Sequence, residues 1–247
     1  MKNTCVFFVI FAIICFTATS CRQTNNPPPP APCPTEHLCI HLQDQLTAKE
    51  QELERLGLID VSMLDSGIMV HMVYATPYNF MGKVLYKDLN RAYLQPDVAQ
   101  KLLNAYKALK QLRPDLTFII YDAARPIGIQ QEMWNMVKGT PWDYYVINPA
   151  KGGGMHNFGA AVDISLVDCT GKTLEMGTTF DYFGEEANID KENELVEKGL
   201  ISPRELKNRL LLRKVMTNAG FRTVTSEWWH FNSCSLEEAK QRYKIIE

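Results

Sequence analysis

Residues 95–126 read QPDVAQKLLNAYKALKQLRPDLTFIIYDAARP, and this stretch decides the fold class. Pro96 stands at a first helical position, and Val98, Leu102, Ala105, Tyr106, Leu109 and Leu112 recur at the spacing of one buried helix face. Arg113-Pro114 stops that helix. The β-branched and aromatic run Thr117-Phe118-Ile119-Ile120-Tyr121 then reads as a buried strand, followed by a loop with Asp122-Ala123-Ala124-Arg125-Pro126. A second helix opens with Ser202 as N-cap, Pro203 first and Glu205 where a capping box wants it, and runs through Leu206, Leu210 and Val215 to a stop at Gly220. Phe221-Arg222-Thr223-Val224-Thr225 follows as a strand. Helices and strands are interspersed without a strict βαβ rhythm, so the expectation is an α+β single domain, a small mainly antiparallel sheet flanked by helices.

The chain has 247 residues, 46% hydrophobic and 22% charged, which is ordinary globular composition with length for one sizeable core. A formal net charge of −2 and no long Lys/Arg stretch exclude a nucleic-acid partner. Residues 1–20 behave differently: Lys2 precedes the apolar run Val6 to Ile14, and small residues lead to Cys21, the pattern of a secretory signal peptide. A transmembrane anchor is disfavoured because the apolar core falls short of the ~20 residues a span needs. Thr17-Ala18-Thr19-Ser20-Cys21 resembles a lipobox, which implies a lipid on Cys21 and a membrane-anchored place in the cell envelope or periplasm. Ala18 stands where leucine is commonest, which leaves ordinary signal-peptidase cleavage open. Residues 21–44, with Pro27 to Pro30, read as a tether, and residues 45–247 as the catalytic domain. Beyond Cys21 remain Cys33, Cys39, Cys169 and Cys234, which allow three pairings.

Gly152-Gly153-Gly154-Met155-His156 puts a histidine after a glycine loop, and Asp163 follows inside the apolar run Ala161 to Val167. There Val162, Ile164 and Leu166 face one side of a strand, and Asp163 with Ser165 the other. Burying a lone carboxylate is costly, and a metal ion is one way to offset it. Two such residues are weak evidence. Glu227-Trp228-Trp229-His230 changes the balance by adding a second histidine and a spare acid. A catalytic zinc takes three protein ligands and leaves a fourth position to water, which the metal brings to a pKa of about 7. His156, Asp163 and His230 supply that set, one Zn2+ on the sheet, and Glu227 is placed to take the proton. Glu and His three apart face opposite sides of an ideal strand, so a bend or strand end is expected between them. Arg125, delivered by a loop after a buried strand, suits a developing negative charge on a carbonyl oxygen, the alternative being a surface pair with Asp122. His37 and His41 read as surface residues, His71 as a strand residue, and Trp134 and Trp142 as packing residues.

Taken together these segments resemble the D-alanyl-D-alanine dipeptidases, the family that includes the vancomycin-resistance dipeptidase. The likeness runs from about Val61 to the C-terminus: Tyr74-Ala75-Thr76 with Asn79-Phe80, then Asp122 to Pro126, His156 to Asp163, Met176-Gly177-Thr178-Thr179-Phe180-Asp181, and Glu227 to His230. It implies zinc on His156, Asp163 and His230, Glu227 as base and later proton donor, and Arg125 at the transition state. It also implies Asp181 as partner of the substrate's ammonium and Tyr74 as a wall of the same pocket, with the D-Ala-D-Ala dipeptide as substrate. One departure stands out: the family usually has Ser two places before the first histidine, credited with holding the substrate carboxylate, and here that place is Gly154. A backbone N–H of the glycine loop or another side chain is expected to take over. Two rivals accompany this reading. A zinc D,D-carboxypeptidase or endopeptidase on peptidoglycan stems would share the metal set. A non-catalytic envelope binding lipoprotein would close its zinc site with a fourth ligand such as Cys234.

Overall fold

The computed structural model describes residues 45–247. The signal segment, Cys21, the tether, Cys33, Cys39, His37 and His41 lie outside these described residues. The elements in chain order are α1 (Ala48–Arg55), β1 (Ile59–Asp60), β2 (Met69–Val70), β3 (Tyr93–Leu94), α2 (Pro96–Leu112), β4 (Leu116–Asp122), α3 (Ile127–Val137), β5 (Ala161–Asp168), α4 (Glu192–Glu197), α5 (Pro203–Asn218), β6 (Arg222–Thr223), β7 (His230–Asn232) and α6 (Leu236–Arg242). Local signals set the ends of the long helices: Pro96 occupies the first turn of α2, and a Ser202–Glu205 capping box opens α5.

Five strands form one sheet in the order β2-β4-β5-β7-β6, antiparallel throughout except for the parallel pair β2–β4. β1 and β3 make a separate antiparallel ribbon. The expected α+β class with a mainly antiparallel sheet is what forms. Helices α2 and α5 cover one face, against which Phe118, Ile120, Val162, Ile164 and Leu166 are buried. Each such side chain stabilises the fold by roughly 1.5–3 kcal/mol relative to exposure.

Several sequence expectations need correction. Leu210 is 49% exposed, and the buried face of α5 consists of Arg209, Leu212, Val215 and Met216. Arg209 reaches the interior because backbone carbonyls and Glu192 receive its guanidinium, so the apolar count alone misplaces the face. His71 lies exposed just past β2, and the strand expected over 221–225 pairs only at Arg222 and Thr223. Trp142 is 55% exposed, with its ring centre 6.5 Å from that of Phe183, so it packs at the surface rather than in the core. Cys169 and Cys234 are not bridged to one another.

The other face of the sheet carries the polar residues. In β5, Asp163 and Ser165 point there, as alternation requires. Register then sets neighbours across the sheet: Asp163 lies opposite His230 of β7 and opposite Asp122 of β4, the latter through a bulge between Ile120 and Asp122. The extra residue brings Asp122 into line with Asp163.

Candidate active site

His156 sits on a single turn of 3-10 helix, Met155–Phe158, at the end of the glycine loop. Gly152 (φ +92°) and Gly153 (φ +78°) are left-handed there, a backbone that side chains rarely adopt, and the turn they make leads directly into that helical turn. Asn157, fully buried, locks the turn: its Oδ1 accepts the Gly154 N–H at 2.8 Å and its Nδ2 donates to the Arg125 carbonyl at 2.9 Å. His156 Nδ1 lies 2.7 Å from the Ala123 carbonyl, which can only accept, so that nitrogen carries the proton and Nε2 keeps its lone pair. His230 is oriented the opposite way. Its Nε2 faces Asn232 Oδ1 at 2.8 Å, leaving Nδ1 with the lone pair.

Those two lone pairs and one carboxylate oxygen converge. His156 Nε2 is 3.1 Å from His230 Nδ1 and 3.3 Å from Asp163 Oδ1, and His230 Nδ1 is 2.9 Å from the same oxygen. Among the described residues these three form a group that could hold a metal ion, with Cys234 no part of it. Three acceptors turned on one point repel one another unless a cation or proton lies between them. Ligand separations of about 3.3 Å suit a tetrahedron with arms of 2.0–2.1 Å, so this donor set fits zinc. Without a metal the site draws protons: burial disfavours a charged His230, but the hydrogen bond and charge of Asp163 outweigh it and raise its pKa to about 9. Burial likewise opposes ionisation of Asp163, yet both histidines hold it well below the usual carboxylate range.

Glu227 precedes β7 in an irregular turn, the expected strand end, with Oε2 3.8 Å from His230 Nδ1. Burial pushes its carboxyl up, the charge of Asp163 adds to this, and the histidines and Arg125 oppose it. Arg125 does pair with Asp122, but inside the protein rather than on its surface. Nε and Nη2 bond Asp122 Oδ2 at 2.9 and 2.6 Å, Nη1 bonds Gln130 Oε1 at 2.9 Å, and Tyr86 donates to the other oxygen of Asp122 at 2.7 Å. The guanidinium lies 5.1 Å from the Tyr74 ring centre and 3.9 Å from Asp163. Across the pocket, Tyr74 donates to Asp181 Oδ1 at 2.8 Å, while Asp181 Oδ2 is buried and finds no hydrogen-bond partner among the described residues. Burial raises the Asp181 pKa to about 8, with Asp163 and Glu227 adding and Tyr74 and Arg125 opposing.

All seven residues singled out in the sequence, Tyr74, Arg125, His156, Asp163, Asp181, Glu227 and His230, line one cavity of about 190 Å³. That is below the roughly 300–1,000 Å³ of clefts that take drug-sized ligands, so its substrate is small. The glycine loop does not offer the expected donor. The Gly154 N–H is taken by Asn157, and those of Gly152 and Gly153 by the Pro149 carbonyl. A Cβ at Gly154 would lie 3.0 Å from Ile147 Cδ1, so a neighbouring methyl fills the space of the missing serine. Sequence reading missed Tyr86, Gln130, Asn157 and Asn232. Only Asn232 left a signal, since it falls two places after His230 on the same side of a strand.

A sheet that aligns two imidazoles and a carboxylate beside a half-buried glutamate fits a metal-dependent hydrolase. Residues 54–245 match the family model described as D-ala-D-ala dipeptidase, in peptidase family M15, and the chain belongs to that family. It is 32% identical to the D-alanyl-D-alanine dipeptidase of Escherichia coli (strain K12) over 70% of this chain and 83% of that one. It is 26% identical to the D-alanyl-D-alanine dipeptidase of Synechocystis over 60% of this chain and 71% of that one. The crystal structure of the vancomycin resistance D,D-pentapeptidase VanY in complex with Zn(II) is 14% identical, covering 62% of this chain and 79% of that one, with a TM-score of 0.30, too low to bear on the fold.

Proposed function

We propose that this protein hydrolyses the free dipeptide D-alanyl-D-alanine to two D-alanines, with zinc held by His156, Asp163 and His230. Bound there, zinc would supply a Lewis acid that polarises the scissile carbonyl and lowers the pKa of water to about 7. The chain's own residues do the rest. Glu227, its proton affinity raised by burial, takes a proton from the attacking water and returns it to the leaving amine. The Arg125 guanidinium, fixed by Asp122 and Gln130, faces the negative charge that develops on the carbonyl oxygen. Tyr74 and Asp181 receive the substrate's ammonium.

The observation that carries this reading is Asp181 Oδ2, a buried carboxylate oxygen with no partner among the described residues. A cationic amino group meets it with a charge-assisted bond, whereas the amide that replaces this group in a longer peptide offers one uncharged N–H and carries an acyl group that needs room beyond it. The substrate carboxylate falls to side chains, among which Ser226, Tyr144 and Tyr145 bring hydroxyls to the wall. The signal segment and Cys21, on sequence alone, put this activity in the cell envelope.

The test is amine release by the purified protein from D-Ala-D-Ala, L-Ala-L-Ala and a stem pentapeptide, with and without chelator, alongside Glu227→Ala. The proposal expects chelator-sensitive cleavage of D-Ala-D-Ala alone, lost in the variant. Release of D-alanine from the pentapeptide instead would move the protein to the carboxypeptidase branch, and no cleavage by zinc-loaded protein would leave a binding lipoprotein.

A further inference from the structure

Asp181 is the one non-glycine residue with positive φ (+60°) among the described residues. Such a backbone persists where the surroundings hold it in place. The segment around it, residues 176–187, crosses the polar face of the sheet, and one side chain grips it near both ends. Arg209, 1% exposed on α5, donates from Nε to the Met176 carbonyl at 2.5 Å and from Nη2 to the Glu186 carbonyl at 2.8 Å. Its Nη1 lies 3.6 Å from Glu192 Oε1, and its guanidinium 5.8 Å from the Trp228 ring centre. Gly177 (φ +86°) leaves no room between segment and clamp: a Cβ there would sit 2.6 Å from Ile201 Cγ2 and 3.1 Å from Arg209 Nη2. Trp228 Nε1 adds a bond to Thr178 Oγ1 at 2.7 Å.

The clamped segment is a partition. Phe180 packs against Tyr74, Tyr121 and Trp229 with ring centres 5.9, 5.2 and 5.5 Å apart. On one side lies the catalytic cavity; on the other, a groove lined by Ile119, Tyr121, Ser165 and Phe180 continues along the same sheet face. A buried arginine in a helix costs more than the leucine that would otherwise fill its place, and what Arg209 does with its charge is hold two carbonyls ten residues apart.

We infer that Arg209 is a positioning residue that sets substrate length: by pinning residues 176–187 at both ends it holds Asp181 at the end of the dipeptide pocket with Phe180 behind it on the groove side, closing off a groove that would otherwise extend the cleft for longer peptides. This rests on the dipeptidase reading. Weakening the clamp lets the wall give, so binding of the ammonium end suffers while the groups around the scissile bond stay in place.

The experiment measures kcat and KM for D-Ala-D-Ala, and for the tripeptide carrying one further N-terminal residue, in the full-length protein and in Arg209→Met, Thr178→Val and Asp181→Ala. Thermal unfolding and bound metal are measured on each. In Arg209→Met we expect KM for the dipeptide about tenfold higher, kcat within about threefold, and the dipeptide-over-tripeptide preference down about tenfold. Thr178→Val, which loses only the Trp228 bond, shifts the same quantities by about two- to threefold and decides the matter if Arg209→Met does not fold. If Asp181→Ala loses the preference while folded clamp variants keep it, the clamp is wrong and the dipeptidase reading stands. A preference unmoved by Asp181→Ala overturns both.

Discussion

Asp181 keeps one carboxylate oxygen unsatisfied inside the protein, so its effects on stability and on activity should oppose each other. With a pKa of about 8 against an ordinary 3.8, the folded form holds a proton that the unfolded form has released between those values. Stability attributable to this residue is therefore highest near pH 4 and declines as pH rises to 8. Asp181→Asn should match the parent in Tm at pH 4 and exceed it by about 3 °C at pH 9, while its dipeptide KM rises. Equal Tm values at pH 9 would contradict the buried-charge account. Glu227→Gln should cut kcat by at least about a hundredfold, with bound metal per chain unchanged. At this scale the sequence was informative where rare residue types cluster, as in Glu227-Trp228-Trp229-His230. It was silent on Asn157 and Arg209, which donate to the carbonyls of Arg125, Met176 and Glu186, brought near only by folding.

Among elements, α2 was legible because its cap, period and stop all lie between Gln95 and Pro114, and Val98, Leu102, Ala105, Tyr106 and Leu109 are buried on that period, whereas Leu112, expected on the same face, is 49% exposed at the helix end. The phase of α5 was not, because a charged residue takes a core position. Its rotation is checked by a matched pair: Leu212→Ala should cost about 2–5 kcal/mol in denaturant unfolding and Leu210→Ala no more than about 0.5 kcal/mol. Similar costs would mean the helix sits differently. Strands β1 and β3, two residues each, escape sequence reading since such short pairings come from tertiary contact rather than local preference, whereas β6 was expected over the longer run 221–225 and β2 only through His71, one place past its end. The bulge in β4 escapes for the same reason, yet it aligns Asp122, and through it Arg125, with the metal group.

For the whole molecule, class and sheet type followed from the interspersed elements, while strand order and the parallel β2–β4 pair did not, being properties of long-range pairing. Because His156, Asp163 and His230 come from three separated segments, metal binding should tie those segments together. Chelation should lower Tm, and re-addition of zinc should restore it with a concentration dependence. A Tm indifferent to chelator would argue that these residues hold no structurally coupled ion. The far end of the chain joins the same assembly. The Ile246 carbonyl accepts the Ile127 N–H at 2.8 Å, and its own N–H reaches the Asn157 carbonyl at 2.8 Å. Those two contacts fasten the segments that carry Arg125 and His156, although no residue after Cys234 was singled out for chemistry. Deleting residues 244–247 would thus remove both fastenings and the burial of Ile246 together, so activity and Tm should fall in step, and the last turn of chain acts as a keel for the site rather than as trim.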